Sequence, residues 1–344
     1  MMNYIYTLIP IALLIFAAVQ GSKWNFNAAT YMDKKYTNAV KGMMCVVIMY
    51  VHISNDYTNT VQNIGSFAYV GVFTFFAISA FGCRTSVERS QSYLNQFWKK
   101  RILALFVPAI LINIISFGFK VMTLNVYEVR GLYAFNQYIY AIIVAYLVFW
   151  IIWKTKVIPV DIKDWLVGLI CLLFSLVTYL TPIKIFFIWP TESIGFIFGL
   201  ILYHKKEIIT SELKQSHTRK IIILFLLSAL LGTLYMKYKH VFFLGGWLLR
   251  VVLAVVLLLL FSACTMNISF EGRLVQLLGN ISYEFYLGHL VVISIVSRLF
   301  PKMSSGVFIV TVFVATLILA IVVKIMSDKI MSPLLRTRKT TGRA

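Results

Sequence analysis

Acidic side chains are scarce in this chain: 12 Asp and Glu stand against 32 Lys and Arg in 344 residues, and charged residues of both signs make up only 13%. So small a charged fraction, with 60% apolar residues and a mean hydropathy of +0.85, excludes an ordinary soluble domain. Cysteine is rare as well. Its four copies (Cys45, Cys83, Cys171, Cys264) show no CxxC or paired spacing, so neither a disulfide framework nor a metal site is expected. HExxH, GxSxG, P-loop and dinucleotide fingerprints are missing from any suitable context, which removes several common hydrolytic and nucleotide chemistries. There is no internal repeat, no low-complexity tract and no polar connection much beyond about twenty residues. Function must reside in the apolar part of the chain.

That part is a series of apolar stretches of about 17 to 25 residues, the length a helix needs to cross the hydrocarbon of a bilayer. Eleven are expected, from Asn3–Gln20 to Val307–Met326, with Val40–Asp56, Ile183–Tyr203 and Ile281–Leu299 among them. Barrel strands would alternate and be half as long, so the expected fold is an all-α, polytopic membrane helix bundle. Charge assigns the sides. With the N-terminus outside and the C-terminus cytoplasmic, the inner segments hold 23 Lys and Arg and the outer ones seven, while Arg250 and Lys324 sit within spans. Loops facing anionic lipid account for the net charge of +20, and no nucleic-acid partner is expected. The first span has no basic residue before it and Lys23, Lys34 and Lys35 after it, which reads as an N-out anchor and not as a cleaved signal. The chain thus divides into residues 1–36 (an added helix and its loop), 37–330 (a ten-helix core) and 331–344 (a basic cytoplasmic tail).

Ionisable groups inside spans are costly and mark candidate sites. Lys41 and His52 are eleven residues apart, so they lie within about 20° of one helix face and roughly 16 Å apart along the axis. Ser54, Asn55, Asp56, Thr58 and Asn59 follow, and polar residues there imply an external vestibule reaching down to His52. Asp56 is one turn on and can hold the imidazole in one tautomer, which makes His52 a competent general base. His289 lies about 13 Å into the tenth span, with Ser282 and Tyr286 on its face, at a depth similar to that of His52. Glu192, in Trp189-Pro190-Thr191-Glu192-Ser193, is expected near mid-depth beside a proline kink, either serving His52 or the acceptor or pairing with a basic residue. Arg250 either meets an anionic acceptor or snorkels to the outer headgroups. At the inner edge Lys41 joins Lys99, Lys100 and Arg101, enough cations to hold phosphates. His204, His217 and His240 lie at span ends or in loops without ligand spacing and are assigned nothing.

Four segments carry a resemblance. Lys41-Gly42 to His52 is similar to the R/K-x10-H signature of the acyltransferase 3 family, integral membrane acyltransferases that modify cell-surface polysaccharides and other acceptors. Gly71-Val72-Phe73-Thr74-Phe75-Phe76-Ala77-Ile78-Ser79-Ala80-Phe81 resembles its "vGvplFFflSGf" helix, and Phe97-Trp98-Lys99-Lys100-Arg101 to Pro108 its "FlkkRllRllpP" segment. Leu278-Gly279-Asn280-Ile281-Ser282-Tyr283-Glu284-Phe285-Tyr286-Leu287-Gly288-His289 resembles its late "lGkiSYelYLlH" helix. The order is the family's, and the segments span residues 41–289. Three positions depart: Lys41 where Arg is commoner, Ala80 for the usual Gly, and Ala104 where a second Arg is frequent. Lysine supplies a point charge without arginine's bidentate fork.

The resemblance implies a cytoplasmic acyl-CoA donor, acetyl-CoA by family frequency, and an acceptor hydroxyl on a surface glycan or lipid-linked sugar. His52, Asp56, Glu192 and His289 are the expected catalytic set, His52 acting either as general base or as an acyl relay through a transient acyl-imidazole; Lys41, Lys99, Lys100 and Arg101 are the donor-binding set; Arg250 and Tyr286 the acceptor-binding set. A multi-pass protein of the bacterial cytoplasmic membrane follows, with oligomerisation left open. Two readings compete: a secondary transporter or lipid-linked-sugar flippase using the intramembrane His and Glu for proton coupling, and a catalytically silent scaffold.

Overall fold

The computed structural model describes residues 12–25, 28–53, 66–124, 129–181 and 190–335. Residues 12–19 are helical, and β1 (Lys23–Trp24) pairs antiparallel with β2 (Ile268–Ser269), Lys23 opposite Ser269. The rest is helix: α1 (Lys34–His52), α2 (Tyr69–Arg89), α3 (Phe97–Leu124), α4 (Gln137–Lys154), α5 (Val160–Leu180), α6 (Pro190–Lys214), α7 (His217–Tyr238), α8 (Arg250–Thr265), α9 (Arg273–Asn280), α10 (Ser282–Leu299) and α11 (Ser305–Leu335). The expectation of an all-α protein holds.

Among the described residues, six helices are long and apolar enough to cross a membrane: α2, α3, α4, α7, the run Leu244–Thr265 that contains α8, and α11. The four other long helices, α1, α5, α6 and α10, fall short of that test. Three of them hold every buried charged or imidazole side chain among the described residues: Lys163 and Asp164 on α5, Glu192 on α6, and Glu284 and His289 on α10. Helix ends also differ from the hydropathy reading. α1 starts at Lys34 and not Val40 because Asp33 caps it, its Oδ1 accepting from Tyr36 N at 2.7 Å. α6 runs on to Lys214 and α11 to Leu335, since polar and basic residues continue a helix as readily as they form a loop. The segment expected as the loop 265–280 contains α9, whose Val275, Leu278 and Gly279 are buried; eight residues are too few to register as a span.

Close approaches set the register. α2 and α6 run parallel and almost touch, because a Cβ on Gly195 would stand 2.2 Å from the Phe73 carbonyl oxygen and one on Gly199 2.1 Å from that of Ala77. A second crossing joins Gly42 of α1 to Gly279 of α9, where a Cβ on Gly42 would lie 2.6 Å from the Gly279 nitrogen. That contact draws the start of α10 alongside α1. α10 then runs parallel to α1 and α3, its Tyr283 hydroxyl donating to the Leu105 carbonyl at 2.9 Å, and antiparallel to α11, where Glu284 meets Lys324. Two apolar clusters result. One joins α1–α6 with α10 and α11 around Phe76, Phe97, Phe149, Phe285 and Phe308; the other joins α1, α2 and α6–α8 around Phe73, Phe198 and Leu253. α1, α2 and α6 belong to both.

The α2–α6 crossing predicts a sharp contrast. Gly199→Leu forces the helices apart and costs about 1–3 kcal/mol or more. Gly232→Ala on α7, where a Cβ meets nothing within 4 Å, stabilises by up to about 1 kcal/mol. Thermal unfolding of the detergent-solubilised proteins checks both; equal midpoints for the two variants would contradict the packing argument.

Candidate active site

A cavity of about 270 Å³ opens between α1, α2, α3, α4, α10 and α11. Lys41, Arg101 and Lys324 supply three cations to its wall and Glu284 one carboxylate. The Lys324 ammonium lies 3.9 Å from Glu284 and 2.8 Å from Asp328, one turn on. Among the described residues Arg101 finds only neutral partners. Its Nη atoms donate to Tyr93 at 2.7 Å, Tyr146 at 3.2 Å and the Cys83 sulfur at 3.2 Å, and its guanidinium lies 4.7 Å from the centre of the Tyr146 ring. Tyr93 sits in the short turn before α3, where burial pushes its hydroxyl above the usual tyrosine value, so it takes this bond as a neutral phenol. Lys41 has no ion pair within 4 Å among the described residues. The cavity therefore carries uncompensated positive charge in a low-dielectric wall, a condition that favours an anion.

Phe75, Tyr138 and Tyr286 also line this cavity. Beyond Tyr286 lies the pair of imidazoles: His52 Nδ1 is 3.3 Å from His289 Nε2, with ring centroids 5.1 Å apart. Backbone carbonyls, which only accept, fix both tautomers. His289 Nδ1 lies 2.5 Å from the Tyr286 carbonyl and must carry its proton there, leaving Nε2 as an acceptor. His52 Nδ1 lies 2.8 Å from the Ile48 carbonyl, so its N–H donates to Ile48 and is shared with His289 Nε2. His52 Nε2 is left with an unshared electron pair. His289 is buried and His52 exposed, and among the described residues nothing bonds His52 Nε2.

The expected site residues are thus partly gathered. Lys41, Arg101 and Tyr286 share the cavity, and His52 and His289 meet beside it. Lys99 and Lys100 are exposed on the first turn of α3 and do not line it. Asp56, with the polar segment around it, lies outside the described residues. Glu192 is elsewhere. It stands in the first turn of α6, where Pro190 opens the helix and does not kink it, a position suited to a residue without an N–H. One Glu192 oxygen pairs with Arg250 and the other accepts from Thr191 at 2.7 Å, and neither reaches His52. The Arg250 guanidinium lies over the Tyr69 ring at 4.5 Å. Of the two readings of Glu192, pairing with a basic residue is what the geometry shows.

Sequence reasoning missed Lys324 and Glu284 as wall residues. The signal for Lys324 was present, since it interrupts the apolar run Ile321-Val322-Val323-Lys324-Ile325. It also missed a second polar node. Asp164, 4% exposed, accepts from Arg84 Nε at 2.7 Å, His204 Nε2 at 2.8 Å and Trp153 Nε1 at 2.9 Å. No local pattern announces a site drawn from four helices.

A membrane bundle with a cationic cavity at one end of a histidine pair fits a class of integral membrane transferases. A sequence model of the acyltransferase domain of the acyltransferase 3 family matches residues 34–325, from the first residue of α1 into α11. The chain belongs to that family and is a membrane acyltransferase. No curated protein and no solved structure matches it significantly.

The Glu192–Arg250 pair yields a stability prediction. Glu192→Ala strands a partly buried guanidinium and costs roughly 1.5–3 kcal/mol. Glu192→Met combined with Arg250→Met recovers much of that loss in thermal unfolding. Full stability of the single variant would show that the pair does not hold α6 to α8.

Proposed function

We propose that this protein moves an acyl group, acetyl in the simplest case, from cytoplasmic acyl-CoA to a hydroxyl of a surface polysaccharide or lipid-linked glycan precursor. The observation that carries this reading is the shared hydrogen bond of His52 and His289 beside a cavity with surplus positive charge. In this reading the bundle lies in the cell membrane with its basic ends cytoplasmic, its N-terminus outside and eleven spans. Lys41, Arg101 and Lys324 hold donor phosphates, with Lys99 and Lys100 adding only to the local field. The arm of the donor extends along the wall toward Tyr286, over the roughly 16 Å of α1 that separates Lys41 from His52.

His52 Nε2 takes the proton of the acceptor hydroxyl while that oxygen attacks the thioester carbonyl. The tetrahedral intermediate collapses, the carbon–sulfur bond breaks, and the thiolate recovers the proton from His52 to leave as free coenzyme A. His289 acts through His52. Its Nε2 accepts from Nδ1–H of His52, and that bond strengthens when His52 becomes an imidazolium, which favours the transition state over the ground state. A neutral imidazole takes the orienting position that a carboxylate fills in a hydrolase triad. Asp56 remains a candidate partner for the same ring, and Arg250 a candidate contact for an anionic acceptor.

His52→Ala lowers transfer roughly 10²- to 10⁴-fold. His289→Ala lowers it roughly tenfold to a hundredfold, the worth of one bond to a charged group, through kcat and not through the donor KM. Lys324→Ala raises the donor KM. Mass spectrometry of surface glycans and lipid-linked sugars from cells with the wild type, His52→Ala or no copy reads the first of these as the loss of one acyl mass. Equal acylation in all three, with substrate moved unmodified, would return the protein to the transporter reading.

A further inference from the structure

Three mutually packed aromatic rings line the cationic cavity, and one of them, Tyr286, also borders His289. Phe75 comes from α2, Tyr138 from α4 and Tyr286 from α10, and each touches both of the others: centroids are 6.3 Å apart for Phe75–Tyr138, 5.8 Å for Phe75–Tyr286 and 5.5 Å for Tyr138–Tyr286. Interplanar angles of 66–74° present edges to faces, the arrangement that closes a gap between rings most fully. All three line the cavity and are at most 7% exposed. Tyr286 belongs to both compartments, for its ring is 5.8 Å from that of His289 and its carbonyl holds the His289 Nδ1–H. At Tyr286 a single ring stands between the cavity and His289, and Phe75 and Tyr138 pack around that ring as a partition.

Its members are not equally fixed. The Tyr286 hydroxyl donates to Asn136 Oδ1 at 3.2 Å, and the same oxygen accepts from the Tyr138 backbone N–H at 2.9 Å. Asn136 thus caps α4 and holds the Tyr286 ring to its first turn. Phe75 has no polar anchor, so it is the ring that can yield. In the acyl-CoA reading the phosphates stay with the cations of the wall, so the end of the donor that reaches the rings is its thioester.

Resting on the acyl-CoA reading above, we infer that the Phe75–Tyr138–Tyr286 partition sets the length of the acyl group transferred, admitting acetyl and excluding butyryl and longer chains. The acyl carbon must pass or lie between these rings to come within reach of His52. Each added methylene must displace a ring held by two neighbours, and apolar sites discriminate at that level by about tenfold or more.

The test supplies equally labelled acetyl-CoA and butyryl-CoA to membranes from cells expressing the full chain, which contain the native acceptor. Label incorporated above that of His52→Ala membranes is compared between donors. Wild type is expected to favour acetyl by at least about tenfold, and Phe75→Ala to raise the butyryl-to-acetyl ratio by about tenfold or more. The ratio is internal to each membrane preparation, so a lower overall rate does not disturb it. Where Phe75→Ala does not reach the membrane, Phe75→Leu keeps apolar bulk while opening the ring layer, and its ratio decides in the same way. An unchanged ratio in the variant recovered, or equal use of both donors by the wild type, overturns the inference. Failure of the underlying reading looks different: wild-type membranes then incorporate neither label above the His52→Ala background.

Discussion

Carboxylates are too few in this bundle to neutralise the cations that enter it, and the placement of those few organises the site. A buried charge without a partner is strongly unfavourable, so each deep carboxylate is spoken for. Asp164 takes Arg84 and His204, Glu192 takes Arg250, and Glu284 lies against Lys324. Among the described residues Lys41, Arg101 and Lys163 are left over; Lys163 is held by the Trp153 and Thr155 carbonyls, while Lys41 and Arg101 open on the same cavity. The surplus charge is tolerated because Arg101 is wrapped in neutral hydroxyl, thiol and ring partners that stabilise a cation without cancelling it. Affinity for an anion is built into the wall before any ligand arrives.

Helix crossings place this wall beside the histidines. Contact between Gly42 and Gly279 brings two distant segments of the sequence together at the level of the cavity, and the parallel run of α1 and α10 carries that register upward. Seven residues after Ser282, α10 presents His289 to the last residue of α1. The histidines thus inherit their spacing from a backbone contact more than a helical turn away. The ring layer between cavity and imidazoles follows from the same geometry, since Phe75 and Tyr138 pack against whatever face α10 turns inward.

Much of this was legible in the chain and some was not. Apolar runs gave the helices, because burial in lipid or core demands continuous apolarity whichever partner covers it. Their ends were read too short, as in α6 and α11, since hydropathy stops at the first lysine while backbone hydrogen bonding does not. His52 and His289 stood out as costly groups at depth, and Lys41 as a cation at the inner edge on the face of His52. Glu192 stood out equally and proved to be paired with Arg250, 58 residues away, a partner no local spacing reveals. Position in the bundle, not depth along the helix, separates the two outcomes. Likewise Lys99, Lys100 and Arg101 are adjacent in sequence, yet 100° per residue turns only Arg101 to the cavity.

The account stands or falls on whether the surplus cations and the histidine pair serve one ligand. The most direct measurement is an experimental structure of the protein with a hydrolysis-resistant acyl-CoA analogue. The expected result has phosphates within hydrogen-bond distance of Lys41, Arg101 and Lys324 and the acyl carbonyl at the Phe75–Tyr138–Tyr286 layer, on the side facing His52. Phosphates bound away from these three residues, or an acyl group directed away from the histidines, would contradict it.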